Sequence, residues 1–270
     1  MDLEKLQKQY PNIDSEELFK LFPRISLADY PELSGYSWEV CHQGSLGGGA
    51  LFLASEMAQK MELKAGMRVL DLGCGHAASS MFLARQHGVT VIAADKDISP
   101  STNWQSIQRA GLEDRVIPVK MDARNIFFPE GYFDAVFSMN AYLYFGTDDL
   151  YLSYLTKFLR PSGRICIAGP CYAKELRPDT PKELLEDESF AYHSPGWWES
   201  HFTQSGLVRV LYCQEHPQGR DFWLDMIRWI LEDSQNRRET FPDFLLHDMV
   251  MLISDRERFV TYFWLLAEKK

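Results

Sequence analysis

The sequence lacks most features that would assign it at a glance. No apolar run approaches the ~20 residues a membrane span needs. The opening stretch, MDLEKLQKQY, is charged and polar, so no secretory signal is expected. Five cysteines (Cys41, Cys74, Cys166, Cys171, Cys213) form no CxxC pair and no zinc-ligand spacing, and no metal centre is expected. An odd cysteine number without a secretory signal reads as reduced thiols in the cytoplasm. Positive charge is scarce too. Lys and Arg number 28 against 38 Asp and Glu, a formal net charge of -10. That argues against a nucleic-acid backbone as the main partner, because phosphate neutralisation needs clustered cations. No internal repeat and no low-complexity stretch interrupts the chain.

What is there suits one domain with elaborations. The 270 residues are 46% hydrophobic, enough for a substantial core. Residues 1–45 are polar, aromatic and punctuated by proline, with a helix expected near Glu16–Leu21. They form a segment expected to cover the ligand. A flexible turn follows at Gly44–Gly49, then Leu53, Met57 and Met61 at helical spacing. From Met67 the pattern alternates. Strands are expected at Val69–Leu72, Val89–Ala94, Val116–Met121, Ala135–Met139 and Arg164–Ala168. Helices are expected at Ala77–Gln86, around Trp104–Ala110 and at Leu150–Leu159. The letters RPSG (Arg160–Gly163) read as a turn. Such alternation implies a parallel sheet with right-handed crossovers. Residues 46–170 form this core. The remainder, 171–270, breaks the rhythm with a long insertion. It supplies helices near Trp197–Gln204 and Phe222–Leu231 and strands at Leu207–Cys213 and Phe259–Leu266, read as a cap plus closing strands.

The chemistry concentrates in VLDLGCGHAA, residues 69–78. Glycines at Gly73 and Gly75 let backbone N–H groups approach a ligand at a helix N-terminus. The spacing Gly73-x-Gly75-x-x-Ala78 also fits a loose dinucleotide fingerprint, so an NAD(P)-dependent oxidoreductase is an alternative. An acid, Asp95, ends the next strand, suited to two ribose hydroxyls.

VLDLGCG resembles the first motif of the class I S-adenosylmethionine (SAM) dependent methyltransferases. The resemblance continues in order over roughly residues 40–170, through VIAADKD, VKMDARNIFFPEGYFDAVFSMNAYLYF and LTKFLRPSGRICIAG. It implies a Rossmann-like, doubly wound, mainly parallel seven-stranded α/β sheet with helices on both faces. It implies SAM as the cofactor, and methyl transfer to a small-molecule N, O, S or C acceptor that leaves S-adenosylhomocysteine. An acid in the first motif suits the cationic methionine end of SAM and would repel a pyrophosphate. Carried over, Asp71, Gly73 and Gly75 would cradle the methionine part. Asp95 would hold the ribose, ahead of the nearby Asp97, and Lys96 would lie against the adenine. Asp122 and Ala123 would meet the adenine edge, and Asn140 would touch the methionine part near the methyl. Ala77 stands where the family often has a third glycine. GYSWEVCHQGSLGGGA resembles the family's covering segment, which would put Tyr36 beside the sulfonium and Gly47–Gly49 beside the carboxylate.

Acceptor-site residues are expected after the fourth and fifth strands. They are Tyr142, Tyr144, Tyr172, His193, Trp197 and Trp198, with Tyr36, Tyr142 and His193 as the catalytic candidates. His193 is the leading base, followed by His42 and His76. A SAM-binding module without turnover is the alternative from outside catalysis.

Overall fold

The computed structural model describes residues 22–23, 25–37, 40–41, 48–180, 184–185, 189–237, 248, 251–252, 255 and 258–270. The helix expected near Glu16–Leu21, His42 and Gly47 lie outside them.

Seven strands form one sheet in the order β3-β2-β1-β4-β5-β7-β6. β1 (Arg68–Leu72), β2 (Thr90–Asp95), β3 (Val116–Lys120), β4 (Phe133–Met139) and β5 (Leu159–Tyr172) run parallel. β7 (Val260–Lys269) is antiparallel and joins β5 to β6 (Val208–Glu215). The central strands are apolar at successive positions because layers cover both of their faces. Val69, Leu70, Val91, Ile92, Val136 and Phe137 are all buried. The helices are α1 (Ala50–Lys60), α2 (Ala78–His87), α3 (Pro100–Arg109), α4 (Tyr151–Thr156), α5 (Pro195–Gln204) and α6 (Gly219–Arg237). Right-handed crossovers put α2 and α3 on one face and α4 on the other. α1 packs beside α2, and α5 packs on β6 and β7. No described helix is long and apolar enough to cross a membrane.

The chain winds outward from β1 to β3, then returns to β4 on the far side of β1. That reversal opens a crevice at the carboxyl ends of β1 and β4, where ligands bind in sheets of this kind.

Two strand boundaries differ from expectation. The RPSG letters do not end an element, because β5 is continuous from Leu159 to Tyr172. It advances from Leu159 to Arg164 while β4 advances from Phe133 to Ala135, so the turn residues form a bulge. Ser162 takes the left-handed φ of 59° that this bulge requires. β7 continues past Leu266 because its polar end is paired: Glu268 accepts ion pairs from Arg164 at 3.5 Å and Arg209 at 2.9 Å. α4 stops at Thr156, short of Leu159, which already belongs to β5.

The insertion between β6 and β7 folds back on its own domain. Phe222 of α6 stacks on Phe52 of α1 at 5.3 Å, and Tyr30 meets both rings edge-on, Phe52 at 4.8 Å and Phe222 at 6.2 Å. Beneath them a polar cluster ties three segments together. Glu56 of α1 contacts His216 Nε2 at 3.0 Å and accepts from the Tyr30 hydroxyl at 3.0 Å. Arg220 pairs with buried Asp255 at 2.7 Å, and the same carboxylate accepts from the backbone of Phe259 and Val260, fixing the start of β7.

Candidate active site

The loop from β1 to α2 is held from three directions. Gly73 and Cys74 donate backbone N–H groups to the Ala94 carbonyl at 2.8 and 3.0 Å. Asn103 of α3, itself buried, donates to the Gly75 carbonyl at 2.8 Å. Asp71, 1% exposed, accepts from the Ser79 and Ser80 hydroxyls at 2.6 Å each, pinning the first turn of α2 to the end of β1. Burial raises the Asp71 carboxyl to about 6. The two serine hydrogen bonds oppose that rise, and the nearby Asp95 charge adds to it. Gly73 has φ 75°, and a Cβ there would overlap Ala141 at the end of β4. Ala77 caps α2 with φ 61°, a left-handed conformation that costs an alanine strain. That is the position where the resembled family often carries glycine.

Asp95, not Asp97, faces this loop. One Asp95 oxygen accepts from the Gly75 N–H at 2.9 Å, and the other accepts from Asp97 and Ile98 N–H at 2.8 and 2.9 Å. The Asp97 side chain is exposed and pairs with exposed Lys96 at 3.6 Å. Asp122 follows β3 at the same edge of the sheet, and its carboxylate accepts from Arg124 N–H at 2.8 Å. Ala123 is buried, and its carbonyl accepts from the Tyr151 hydroxyl at 3.0 Å. Asn140 closes the crevice from β4 with φ 57°. Its amide donates to the Gly48 carbonyl at 3.1 Å, while its Oδ1 is buried without a partner among the described residues. A buried acceptor without a donor calls for a ligand group, since leaving it unpaired costs about 1–3 kcal/mol.

On the acceptor side the expected residues separate. Tyr36 packs against α2. Its ring meets Phe82 at 6.2 Å and lies under the Arg85 guanidinium at 5.7 Å. The cation on that ring is the protein's own. Tyr172 is structural: it is buried, stacks on Phe259 at 4.8 Å and donates to the Leu184 carbonyl at 2.9 Å. Trp198 is fully buried and stacks on Phe263 at 5.2 Å. Tyr142 sits at the edge of Trp198, 5.8 Å away. Its hydroxyl has no partner among the described residues, and burial pushes its phenol far above the ordinary range, which keeps it protonated. Tyr142→Phe is expected to keep or raise stability by up to about 1 kcal/mol, because it removes an unpaired buried hydroxyl. Thermal unfolding checks this. Tyr144 is exposed, and its carbonyl accepts from Arg124 at 3.0 Å. His76 is half-buried in the β1–α2 turn.

His193 retains its chemical potential and brings neighbours with it. Its Nδ1 lies 3.1 Å from Glu175, and its ring stacks on Trp197 at 3.8 Å. Trp197 in turn stacks on His201 at 4.7 Å. Glu175, His201, Ser79, Ser80 and Asn103 were not legible as site residues in the sequence. Only the serine pair carried a signal, one turn past the glycine loop. Glu175 and Asn103 reach their partners through tertiary contacts.

Residues 69–163 match the family described as "Methyltransferase domain". Those residues carry a SAM-dependent methyltransferase domain. Its crevice fits that cofactor. Asp71 at the end of β1 and Asp95 at the end of β2 flank the loop, which carries no Lys or Arg; that suits a cationic methionine group, and Asn140 Oδ1 is a buried acceptor for it. The chain is 23% identical over 208 residues to phosphoethanolamine N-methyltransferase 1 of Arabidopsis thaliana, covering 76% of this chain and 41% of that protein. The chain thus spans about two fifths of that relative's length. Phosphoethanolamine N-methyltransferase 2 of Haemonchus contortus, solved with SAM, superposes with a TM-score of 0.71 at 18% identity, over 91% of this chain and 60% of that one. The [4+2]-cyclase SpnF superposes with a TM-score of 0.66 at 18% identity, covering 86% and 85%. These superpositions show that the fold is shared. One methyltransferase fold evidently hosts more than one chemistry, so activity must be argued from the site.

Proposed function

We propose that the protein transfers a methyl group from SAM to a small-molecule acceptor, leaving S-adenosylhomocysteine. One observation carries this reading. The glycine loop, Asp71, Asp95 and the unpaired Asn140 Oδ1 converge at the β1/β4 switch point, with the Asp71 carboxylate beneath the loop where it would repel a dinucleotide's pyrophosphate. The same observation disfavours the NAD(P) alternative. When bound, SAM supplies a methyl on a positively charged sulfur, already activated for in-line displacement. The protein then has to orient the acceptor and exclude water.

In this reading Asp95 accepts from the ribose hydroxyls through the lone pairs its backbone donors leave free. Asp71 faces the ammonium, directly or through water. Gly73 and Gly75 let the backbone approach the methionine part, and Asn140 Oδ1 takes a donor from it. Asp122 and the Ala123 N–H meet the adenine, with the Lys96 stem covering it from solvent. The buried aromatic wall of Tyr142 and Trp198 keeps the transfer site dry. The named relatives act on phosphoethanolamine, and an amine is the acceptor to try first. Five free cysteines support a reducing, cytoplasmic setting.

The test is calorimetric titration of SAM into the intact protein and into Asp95→Ala. Binding by the former and a loss of about 100-fold in the latter, near 2.7 kcal/mol, are expected. Asp95→Asn, which keeps an acceptor for the loop amides, separates local unfolding from lost ribose contacts. An intact protein that binds NADP and not SAM sinks the proposal. Tight SAM binding with no methyl transfer to any metabolite in an extract favours the binding module.

A further inference from the structure

Four residues past Ala168, whose carbonyl accepts from Asn140 N–H, β5 ends at Tyr172, about 13 Å beyond the crevice floor at ~3.3 Å per residue. There the Tyr172 N–H donates to the Tyr192 carbonyl at 3.3 Å, bringing His193 beside the strand end and Glu175. α5 then packs on β6 and β7. Trp198 touches Tyr142, which follows β4, and His201 contacts the β4–α4 loop at Gly146. The His193 ring therefore lies beside the carboxyl end of β5, the end of the sheet at which the crevice opens.

Its surroundings are built, not incidental. Glu175 turns one oxygen to His193 Nδ1 at 3.1 Å. The other accepts from the Ser194 N–H at 2.7 Å and the Ser194 hydroxyl at 2.5 Å. Ser194 Oγ also caps α5 by accepting from Trp197 N–H at 3.2 Å, so the carboxylate is locked to the helix that carries Trp197. The Trp197 face then fixes the plane of the imidazole. Burial raises Glu175, but the Ser194 and His193 hydrogen bonds overcome it, leaving the carboxyl below its ordinary value and ionised. No described residue bonds His193 Nε2. The charged and titratable groups around the ring are Glu175 on the β5 side and His201 across Trp197. Behind His201 stand Asp148 and Asp149 of the β4–α4 loop.

Resting on the methyltransferase reading, we infer that Glu175 and His193 form a proton-accepting dyad, with Glu175 as the positioning residue, and that the acceptor is a nitrogen or oxygen nucleophile carrying a proton. A carboxylate on Nδ1–H fixes the tautomer with a bare Nε2 and stabilises the imidazolium that forms. The acceptor N–H or O–H bond breaks, its proton joins Nε2, and the freed lone pair forms the new bond to the methyl carbon. The electrons of the broken carbon–sulfur bond stay on sulfur, which becomes neutral. A thiolate or an alkene would need no such dyad.

Three measurements test this. Nitrogen NMR of the histidine rings, with S-adenosylhomocysteine present, should show His193 protonated at Nδ1 in the intact protein. The Nε2–H tautomer would overturn the inference. Labelled methyl transfer is then followed with phosphoethanolamine, catechol and 2-mercaptoethanol as probes. His193→Ala should lower kcat at least about 100-fold on the amine or hydroxyl probe. In Glu175→Gln the acidic limb of the pH profile should move to lower pH, because the imidazolium loses its counter-charge. An unmoved limb, an undiminished His193→Ala, or transfer to the thiol alone would each overturn it. Both variants should bind SAM within twofold of the intact protein. If the intact protein itself fails to bind SAM, the methyltransferase reading has failed and not the dyad alone.

Discussion

Gly73→Val should lose measurable SAM binding and unfold at a temperature lower by roughly 10 °C. Two costs combine. The backbone at residue 73 has φ 75°, a conformation that costs a side-chain-bearing residue about 1–2 kcal/mol. The added atoms then overlap Ala141 at the end of β4, and overpacking costs a further 1–3 kcal/mol or so. At roughly 2–4 °C per kcal/mol for a chain near this size, the sum gives the stated shift. Relief can come only by moving the loop off β4, which widens the crevice and breaks the Gly73 and Cys74 bonds to Ala94. Gly66→Ala supplies the control. Gly66 has φ 84°, but an added Cβ would meet no atom within 4 Å, and the residue lies on the turn before β1, at the strand's opposite end from the crevice. It should lose about 1 kcal/mol and bind SAM normally. Thermal unfolding and calorimetry on the two variants distinguish strain from site geometry. Unchanged SAM affinity in Gly73→Val would remove the loop from the site.

The same contrast explains which parts of the site were legible. Gly73, Gly75, Asp71 and Asp95 announce themselves because their roles are set by local geometry: a strand must end, turn and start a helix within a few residues. Asp95 was separable from Asp97 by the end of an apolar run, and its carboxylate does face the loop. The central parallel strands were legible for a similar reason, since strands buried on both faces show runs of apolar letters. Elsewhere the local pattern was overruled by distant partners. RPSG is good turn chemistry, but β4 pairs with β5 on both sides of it, at Leu159 and at Arg164, and carries it through a bulge. The end of β7 is polar and is a strand because β5 and β6 pair with it on both sides, with Arg164 and Arg209 neutralising Glu268. Tyr36 has the composition of a ligand contact, and nothing local links it to Phe82 and Arg85 of α2, which pack on its ring. Glu175 lies 18 residues before His193, inside a stretch with no periodicity, and nothing local links the two.

Asp71→Asn should move stability and cofactor affinity in opposite directions. The folded protein raises this carboxyl from 3.8 to about 6, so it binds the Asp71 proton more tightly than the unfolded chain does. The contribution is therefore fully present below pH ~4 and is lost as pH rises through ~6. Near neutral pH the ligand-free protein carries a desolvated charge that costs up to about 3 kcal/mol, at ~1.36 kcal/mol per unit. Asparagine keeps an acceptor for Ser79 and Ser80 and removes both that charge and its repulsion from Asp95. At pH 8 the ligand-free variant should unfold roughly 5–8 °C above the parent, with the gap closing towards pH 4.5. The charge has a use only when a cation arrives. If Asp71 faces the ammonium of SAM, binding restores the ionised form, and SAM affinity in the parent should rise with pH through about 6 while a proton is released. Asp71→Asn should bind SAM at least about tenfold more weakly and show neither effect, since a lost charge-assisted contact is worth ~1.5–3 kcal/mol. Thermal unfolding from pH 4.5 to 8, and calorimetry in buffers of differing ionisation enthalpy, read both halves. A variant that is more stable yet binds SAM undiminished would leave Asp71 a purely structural support of α2. One that is no more stable at pH 8 would mean that the serine pair already neutralises the cost of burying the charge.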